Sequence, residues 1–227
     1  MRSSIEGGRV GRSNGFVAVF LALALALGPP ARLPAQGVLD QFSYDNLRLT
    51  AIQGDLGLLG SSRLKGAVTG GVRVDYGRIA PRVRVLFGLS YYRAEFSAPE
   101  ISALEQRIAA LVTDPTNDFT VDVGDITWSA LTGDVDLQYV LPQGGGVTTY
   151  LGVGLSVHLR NGIGAAVDGT FLDDALDDLA AGVNGTIGAE FAAGPRWRFT
   201  LDARGVLLSD HATVSLRGGL MYRWREQ

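Results

Sequence analysis

The chain contains no cysteine, which excludes disulfides, thiol catalysis, iron–sulfur clusters and cysteine zinc sites. Charge is scarce too. Asp, Glu, Lys and Arg make up 19% of the 227 residues, below the roughly 25% of ordinary soluble domains. The formal net charge is −3, and nothing resembles the clustered basic footprint of a nucleic-acid binder. Only two histidines are present, too few for a convincing zinc site without carboxylate help. Long apolar runs are absent beyond the first 35 residues, so no later segment can cross a membrane as a helix. Glycine and apolar side chains are what the chain has in quantity, 31 residues and 46% respectively.

The N-terminus carries Arg2, Arg9 and Arg12 against Glu6, then an apolar run from Phe16 to Leu27, then Gly28-Pro29-Pro30. A basic region, a short apolar core and a helix-breaking exit describe a secretory signal peptide. The run has 12 residues, whereas a spanning helix needs about 20. Residues 1–35 are therefore expected to be removed after Ala35, although Leu33 is not the small residue usual at that spot. With no Cys after the run, lipoprotein anchoring is excluded. Removing four arginines and one glutamate leaves 16 basic and 22 acidic residues, a net of −6. Residues 36–45 then form a periplasmic N-terminal segment.

Residues 46–227 repeat one pattern, runs of about ten residues with apolar types at every second position, separated by turn residues. Period two places successive side chains on opposite faces of a sheet. Val83, Val85, Phe87, Leu89 and Tyr91 oppose Arg82, Arg84, Leu86, Gly88 and Ser90. Leu151, Val153, Leu155, Val157 and Leu159 oppose Tyr150, Gly152, Gly154, Ser156 and His158. Equivalent runs cover 68–76, 131–139, 183–191, 197–204 and 213–224. A first strand at roughly 47–59 slips near Ala51–Ile52, which implies a bulge or a later start, and the same slip falls near Trp128–Ala130. Eight strands result. Gly77–Pro81, Pro142–Gly146 and Ala192–Arg196 read as tight turns, and 60–66, 94–125, 160–181 and 208–211 as the longer connections of the opposite rim. Short periplasmic turns and longer outer loops are the asymmetry of an outer-membrane barrel.

The last run, Val214-x-Leu216-x-Gly218-x-Leu220-x-Tyr222-x-Trp224, resembles the C-terminal assembly signal read by the outer-membrane insertion machinery, here followed by Arg225-Glu226-Gln227. Over residues 46–227 the chain resembles the small eight-stranded outer-membrane β-barrel family of the OmpA, OmpX and OmpW type. The resemblance implies an all-β, antiparallel up-and-down transmembrane barrel in the cell outer membrane, in contact with lipid and lipopolysaccharide, monomeric, with no cofactor. A soluble lipocalin-like barrel is the competing fold, and the faces decide between them. Tyr76, Tyr139, Phe191, Trp197, Tyr222 and Trp224 lie on the apolar faces at the expected periplasmic strand ends. One level of large rings is what an interfacial girdle requires, and a soluble core has no reason to collect them at one end.

With the apolar face toward lipid, the polar face lines the lumen. It holds Arg73, Arg82, Arg84, Arg198, Arg204, Arg217 and Arg223 against Asp75, Asp134, Asp136, Glu190 and Asp202, with Asp55 on the first strand. Eight strands enclose just enough space for their own side chains, and buried charges must be paired. Seven cations against six anions imply a near-neutral ion-pair network that closes the periplasmic half. In the outer half, Gly152, Gly154, Ser156, Gly182, Asn184 and Thr186 allow either a shallow vestibule or merely strand curvature.

Two outer segments carry helical spacing: Ile101, Leu104, Ile108 and Leu111 in one, and Phe171, Leu172, Ala175, Leu176 and Leu179 in the other, interleaved with Asp173, Asp174, Asp177 and Asp178. Such short helices either cap the barrel and meet a partner, or fold back on the rim to bury their own stripes. The aspartates lack the loop geometry of a calcium site. Catalytic signals are thin. Ser62-Arg63-Leu64-Lys65 fits S-x-x-K in a loop where nothing else supports that chemistry. Some similar barrels are lipid A deacylases with a His–Ser–Glu arrangement, but His158 is followed two places on by Arg160 and His211 by Thr213, without the expected Ser. No enzyme activity and no metal site are therefore expected. The functional expectation is a structural or surface-interaction barrel with a largely plugged lumen. The alternatives are an OmpW-like passage for small or hydrophobic solutes and, third, a lipid A-modifying enzyme.

Overall fold

The structure, a computed structural model, describes residues 42–111, 122–163 and 178–224. Residues 1–35, expected to be a signal peptide, and most of the helical pattern at 171–179 lie outside the described residues. Eight antiparallel strands run β1 (Leu47–Ser61), β2 (Ala67–Ala80), β3 (Val83–Glu95), β4 (Thr127–Gly144), β5 (Val147–Ile163), β6 (Asp178–Ala192), β7 (Trp197–Leu208) and β8 (Ala212–Arg223). Each pairs with its sequence neighbour, and β8 returns to β1 from Ala51↔Arg223 to Ser61↔Thr213, closing the barrel. Closure leaves no open sheet edge with unpaired backbone groups. The fold class is the one the alternation demanded.

Turn chemistry sets the rim at which the described residues begin and end, at Phe42 and Trp224, called the terminal rim below. The β4–β5 turn uses Gly144, Gly145 and Gly146 at φ of 82°, 59° and 81°, left-handed values that side-chain-bearing residues resist. Gly77 sits at φ 92° where a Cβ would strike the Asn46 carbonyl. That close approach accompanies the irregular register of β1 and β2 between Leu47 and Ala51, the bulge expected at the first slip. The second expected bulge does not exist. β4 pairs with β3 and β5 without a shift through Trp128, Ser129 and Ala130. What changes there is the chemistry of the inward face, which turns from Thr132, Asp134 and Asp136 to Ala130 and Trp128, all buried. Several strands therefore run further toward the opposite, loop-bearing rim than their hydropathy alternation does.

Outward positions are apolar and exposed. Leu56 is 70% accessible, and Val153 and Leu155 are 66%. Inward positions are charged and buried, with Glu190 at 0% and Asp136 at 1%. The only apolar core among the described residues lies inside the loop rim, where Leu59, Leu64, Tyr92, Phe96, Ile126 and Trp128 cluster. A helix, α1 (Ala98–Leu111), covers it and packs Ile101, Leu104 and Ile108 against the cluster. Pro99 lies in its first turn, where the missing N–H costs no helical bond, and the Ser97 carbonyl accepts from Glu100 and Ile101 at 2.9 and 3.1 Å. Of the two readings of that stripe, the structure takes the one in which it folds back on the rim. In the second segment, Asp178 and Leu179 already belong to β6 rather than to a helix.

Candidate functional site

The inward side chains of the terminal half form one charged network. Arg73 Nε meets Asp55 at 3.3 Å and its Nη2 meets Asp202 at 3.3 Å. Arg217 reaches Asp202 at 2.7 Å, and the Tyr150 hydroxyl donates to the same carboxylate at 3.3 Å. Arg84 joins Glu190 at 2.6 Å and Asp75 at 3.4 Å, and donates to Gln138 Oε1 at 3.0 and 2.7 Å. Arg204 pairs with Asp134 and, at 2.9 Å, with Asp136. Four of these bridges, one from β2 to β7, one from β3 to β6 and two from β4 to β7, join strands three apart around the ring. They cross the interior instead of running along its wall. Arginine suits this work because its planar fork engages two acceptors at once.

Arg198 and Arg223 are half-buried at the terminal edge of the network, 3.9 and 3.3 Å from Glu190. Arg82 does not belong to it. It is exposed, and its Nη1 contacts the Tyr139 hydroxyl at 3.5 Å. The turn is complete only after Arg82, so the side chain has left the inward register before β3 begins. Without it, six arginines face six carboxylates: Arg73, Arg84, Arg198, Arg204, Arg217 and Arg223 against Asp55, Asp75, Asp134, Asp136, Glu190 and Asp202. Unpaired buried charge costs several kcal/mol or more, and this composition leaves none over.

Inward glycines hold neither a vestibule nor simple slack. A Cβ on Gly188 would stand 2.6 Å from the Tyr150 ring and 2.7 Å from Asp202. One on Gly152 would stand 2.9 Å from Gln138, and one on Gly154 would collide with Asp136. Each glycine is the space into which a neighbouring strand puts its large side chain. Above this level a polar layer follows, in which His158 Nδ1 shares a hydrogen bond with Thr132 Oγ1 at 3.0 Å and its Nε2 lies 3.3 Å from Ser156 Oγ. All three are buried in the lumen.

A clamp of side chains links four segments at the loop rim. The Asp210 carboxylate accepts from Arg63 at 3.1 Å and from Arg160 at 2.8 Å. Arg160 also reaches Asp178 at 2.6 Å, and Arg63 Nε donates to Glu100 on α1 at 2.8 Å. Both guanidiniums lie on the indole of Trp128, at 4.7 and 5.9 Å from its centroid, a cation–π arrangement. Phe96 packs against the same indole at a tilt of 52°, with centroids 4.7 Å apart. A cleft of about 250 Å³ lies between this clamp and α1. Burial resists ionisation of Asp210, but the Arg160 hydrogen bond and the neighbouring His211 outweigh it and hold the carboxyl down at about 2. Burial lowers His211, and Asp210, 3.0 Å away, only partly opposes this while Arg160 and Arg63 add to it. Among the described residues, no three His, Asp or Glu side chains converge on a metal-sized point.

The six rings expected as a girdle, Tyr76, Tyr139, Phe191, Trp197, Tyr222 and Trp224, all face outward at the terminal rim. Trp197, Tyr222 and Trp224 form a continuous edge-to-face series at 5.0 and 5.7 Å. Sequence reasoning missed Tyr150 as a partner of Asp202, the Ser156–His158 contact two positions before the histidine, and the whole Arg63–Asp210–Arg160 clamp. Parity was the available signal for Arg160, which shares its face with Ser156 and His158.

No protein-family model matches the chain, and no curated protein matches it in sequence. Solved structures do. Neisserial surface protein A matches with a TM-score of 0.51 at 14% identity, over 77% of this chain and 96% of that one. The N-terminal β-barrel domain of Pseudomonas aeruginosa OprF matches with 0.44 at 12%, over 78% and 98%. The P. aeruginosa outer membrane protein OprG matches with 0.44 at 13%, over 80% and 99%. What this chain shares with Neisserial surface protein A is the fold of a small eight-stranded barrel.

Proposed function

We propose that this chain is an outer-membrane β-barrel with a structural or surface-interaction role, sealed through its waist, with its termini in the periplasm and the α1-covered rim at the cell surface. One observation carries the reading: the two faces are inverted relative to a soluble barrel. Leucine, valine and phenylalanine look outward, and each large apolar side chain gains about 1.5–3 kcal/mol on leaving water. Lipid supplies that environment, and a closed ladder satisfies every strand's backbone within it. Lipid and lipopolysaccharide are the partners this implies, with the β8 face as the segment offered to the insertion machinery and a monomer as the working unit.

The sealed waist rests on the bridges that cross the lumen. A solute passing along the axis would have to break pairs such as Arg84–Glu190 and Arg73–Asp202, in which every side chain is buried. A lateral exit for hydrophobic solutes finds no support among the glycine-bearing strands, because β5 and β6 pair unbroken from Val147↔Phe191 to Arg160↔Asp178. No catalytic step enters this reading, since His158 and Ser156 face the lumen and not the outer leaflet.

Membrane fractionation with boiled and unboiled gel samples tests the placement. The expected result is a band in the outer-membrane fraction whose migration shifts on boiling. In planar bilayers the purified barrel is expected to give no steady large conductance, and such a conductance would refute the sealed waist. Lipid A is expected to keep its mass after overexpression.

A further inference from the structure

Resting on the outer-membrane reading, we infer that the terminal rim is a docking surface for anionic phospholipid headgroups. Four exposed guanidiniums gather there: Arg48 on β1, Arg78 on β2, Arg82 in the β2–β3 turn and Arg196 in the β6–β7 turn. Because β8 adjoins β1, these positions form one continuous arc from β7 round to β3. None of the four has a carboxylate partner among the described residues. Their hydrogen bonds are to neutral acceptors, Arg78 to the Pro81 carbonyl at 3.4 Å, Arg82 to the Tyr139 hydroxyl at 3.5 Å and Arg196 to the Tyr222 hydroxyl at 3.0 Å. The one exposed acid described nearby, Asp45, already accepts from the Ser43 hydroxyl at 2.7 Å.

The tyrosine contacts fix the depth of the charges. Tyr139 and Tyr222 belong to the aromatic girdle, and girdle rings sit at headgroup level, so Arg82 and Arg196 are held at the height of lipid phosphates. The Trp197–Tyr222–Trp224 series lies in the same arc and offers flat apolar faces beside the cations. Arginine binds phosphate through its fork, and basic residues at an interface attract anionic lipid. At the opposite rim the bases are mostly spent: Lys65 on Glu95 at 2.7 Å, Arg107 on Glu100 at 3.8 Å, and Arg63 on Glu100 and Asp210. Free positive charge is thus concentrated at one rim, although the protein as a whole is acidic.

The test uses the full barrel folded into vesicles of equal phosphatidylethanolamine and phosphatidylglycerol, with retained lipids counted by native mass spectrometry. Wild type should retain phosphatidylglycerol in excess, by about fivefold for each guanidinium engaged. Combining Arg48→Gln, Arg78→Gln, Arg82→Gln and Arg196→Gln should return the ratio to that of the vesicle while the boiled and unboiled gel shift persists. Lys65→Gln with Arg93→Gln at the other rim should leave the excess intact. The inference falls if the inserted wild type takes both lipids at the bulk ratio, if the fourfold variant keeps the excess, or if the control variant loses it. Each of those results leaves the membrane reading standing. Displacement of the retained lipid by excess inorganic phosphate would mean a free-ion site and also overturns it. Failure of the wild type to insert at all removes the membrane reading, and the inference with it.

Discussion

The terminal half and the mouth of this barrel fill the same narrow interior with opposite chemistries. Below His158 the inward face is dominated by ionised residues paired across the lumen, with Asp202 and Glu190 each serving several arginines. Above it they are aromatic and aliphatic, packed under α1 and ringed by the Arg63–Asp210–Arg160 clamp. The difference follows from what can cover each region. Deep in the barrel the facing wall is always another strand, so a long arginine can reach a carboxylate opposite. At the mouth, among the described residues, a helix lays its apolar stripe over the inward side chains instead. The charged half should fail as a unit when one hub is removed, whereas the mouth should loosen locally.

Asp202→Ala is the most direct way to break that contrast. It strands Arg217, takes one of its two carboxylates from Arg73 and leaves the Tyr150 hydroxyl without its acceptor, and orphaning buried charge typically costs about 3–5 kcal/mol. The urea midpoint of the heat-shifted form should drop accordingly, and an unchanged midpoint would mean that the terminal half is not one network. Gly188→Ala tests filling from the other direction. Its Cβ would enter the space of Tyr150 and Asp202, an overpacking worth about 1–3 kcal/mol, and Tyr150→Leu in the same chain should recover part of the loss.

At the mouth the expected effects are smaller and confined. Glu100→Gln removes the partner that ties α1 to Arg63, a partly exposed pair worth at most about 1 kcal/mol. Residues 98–111 should become more open to hydrogen exchange while the global midpoint stays put. Acid should act in the same place. His211 resists protonation when folded because burial, with Arg160 and Arg63, lowers its pKa below the ordinary 6.5. The unfolded mouth then binds more protons, so stability declines as pH falls below about 6.5. Asp210, held at about 2 against an ordinary 3.8, adds a further loss only when pH falls through that lower window. Exchange at residues 209–211, corrected for intrinsic rates, should therefore quicken from about pH 7 to about pH 5, and His211→Asn should abolish the change.

Much of this was legible in the chain. Alternation located all eight strands, the tight turns and the bulge near Ala51, because period two and turn chemistry are local properties. Twelve of the thirteen lumen charges expected from parity are inward or at the lumen's edge, with Arg82 the exception. Parity stops counting where the strand ends, and that residue sits in the turn. The supposed slip at Trp128 arose because hydropathy was used to follow a geometric alternation. Once the inward residues became apolar, both faces looked alike although the ladder continued. The clamp was out of reach for a different reason. Arg63, Glu100, Arg160 and Asp210 come from four separate segments, and no spacing relates them.

The sequence alone settled the architecture, because whether a residue faces in or out depends on its neighbours two places away and on where the chain turns. Which arginine meets which carboxylate, and which glycine makes room for Tyr150, was decided only by closing the barrel. Strands distant in the chain then stand opposite one another, and side-chain length across that gap selects the partners.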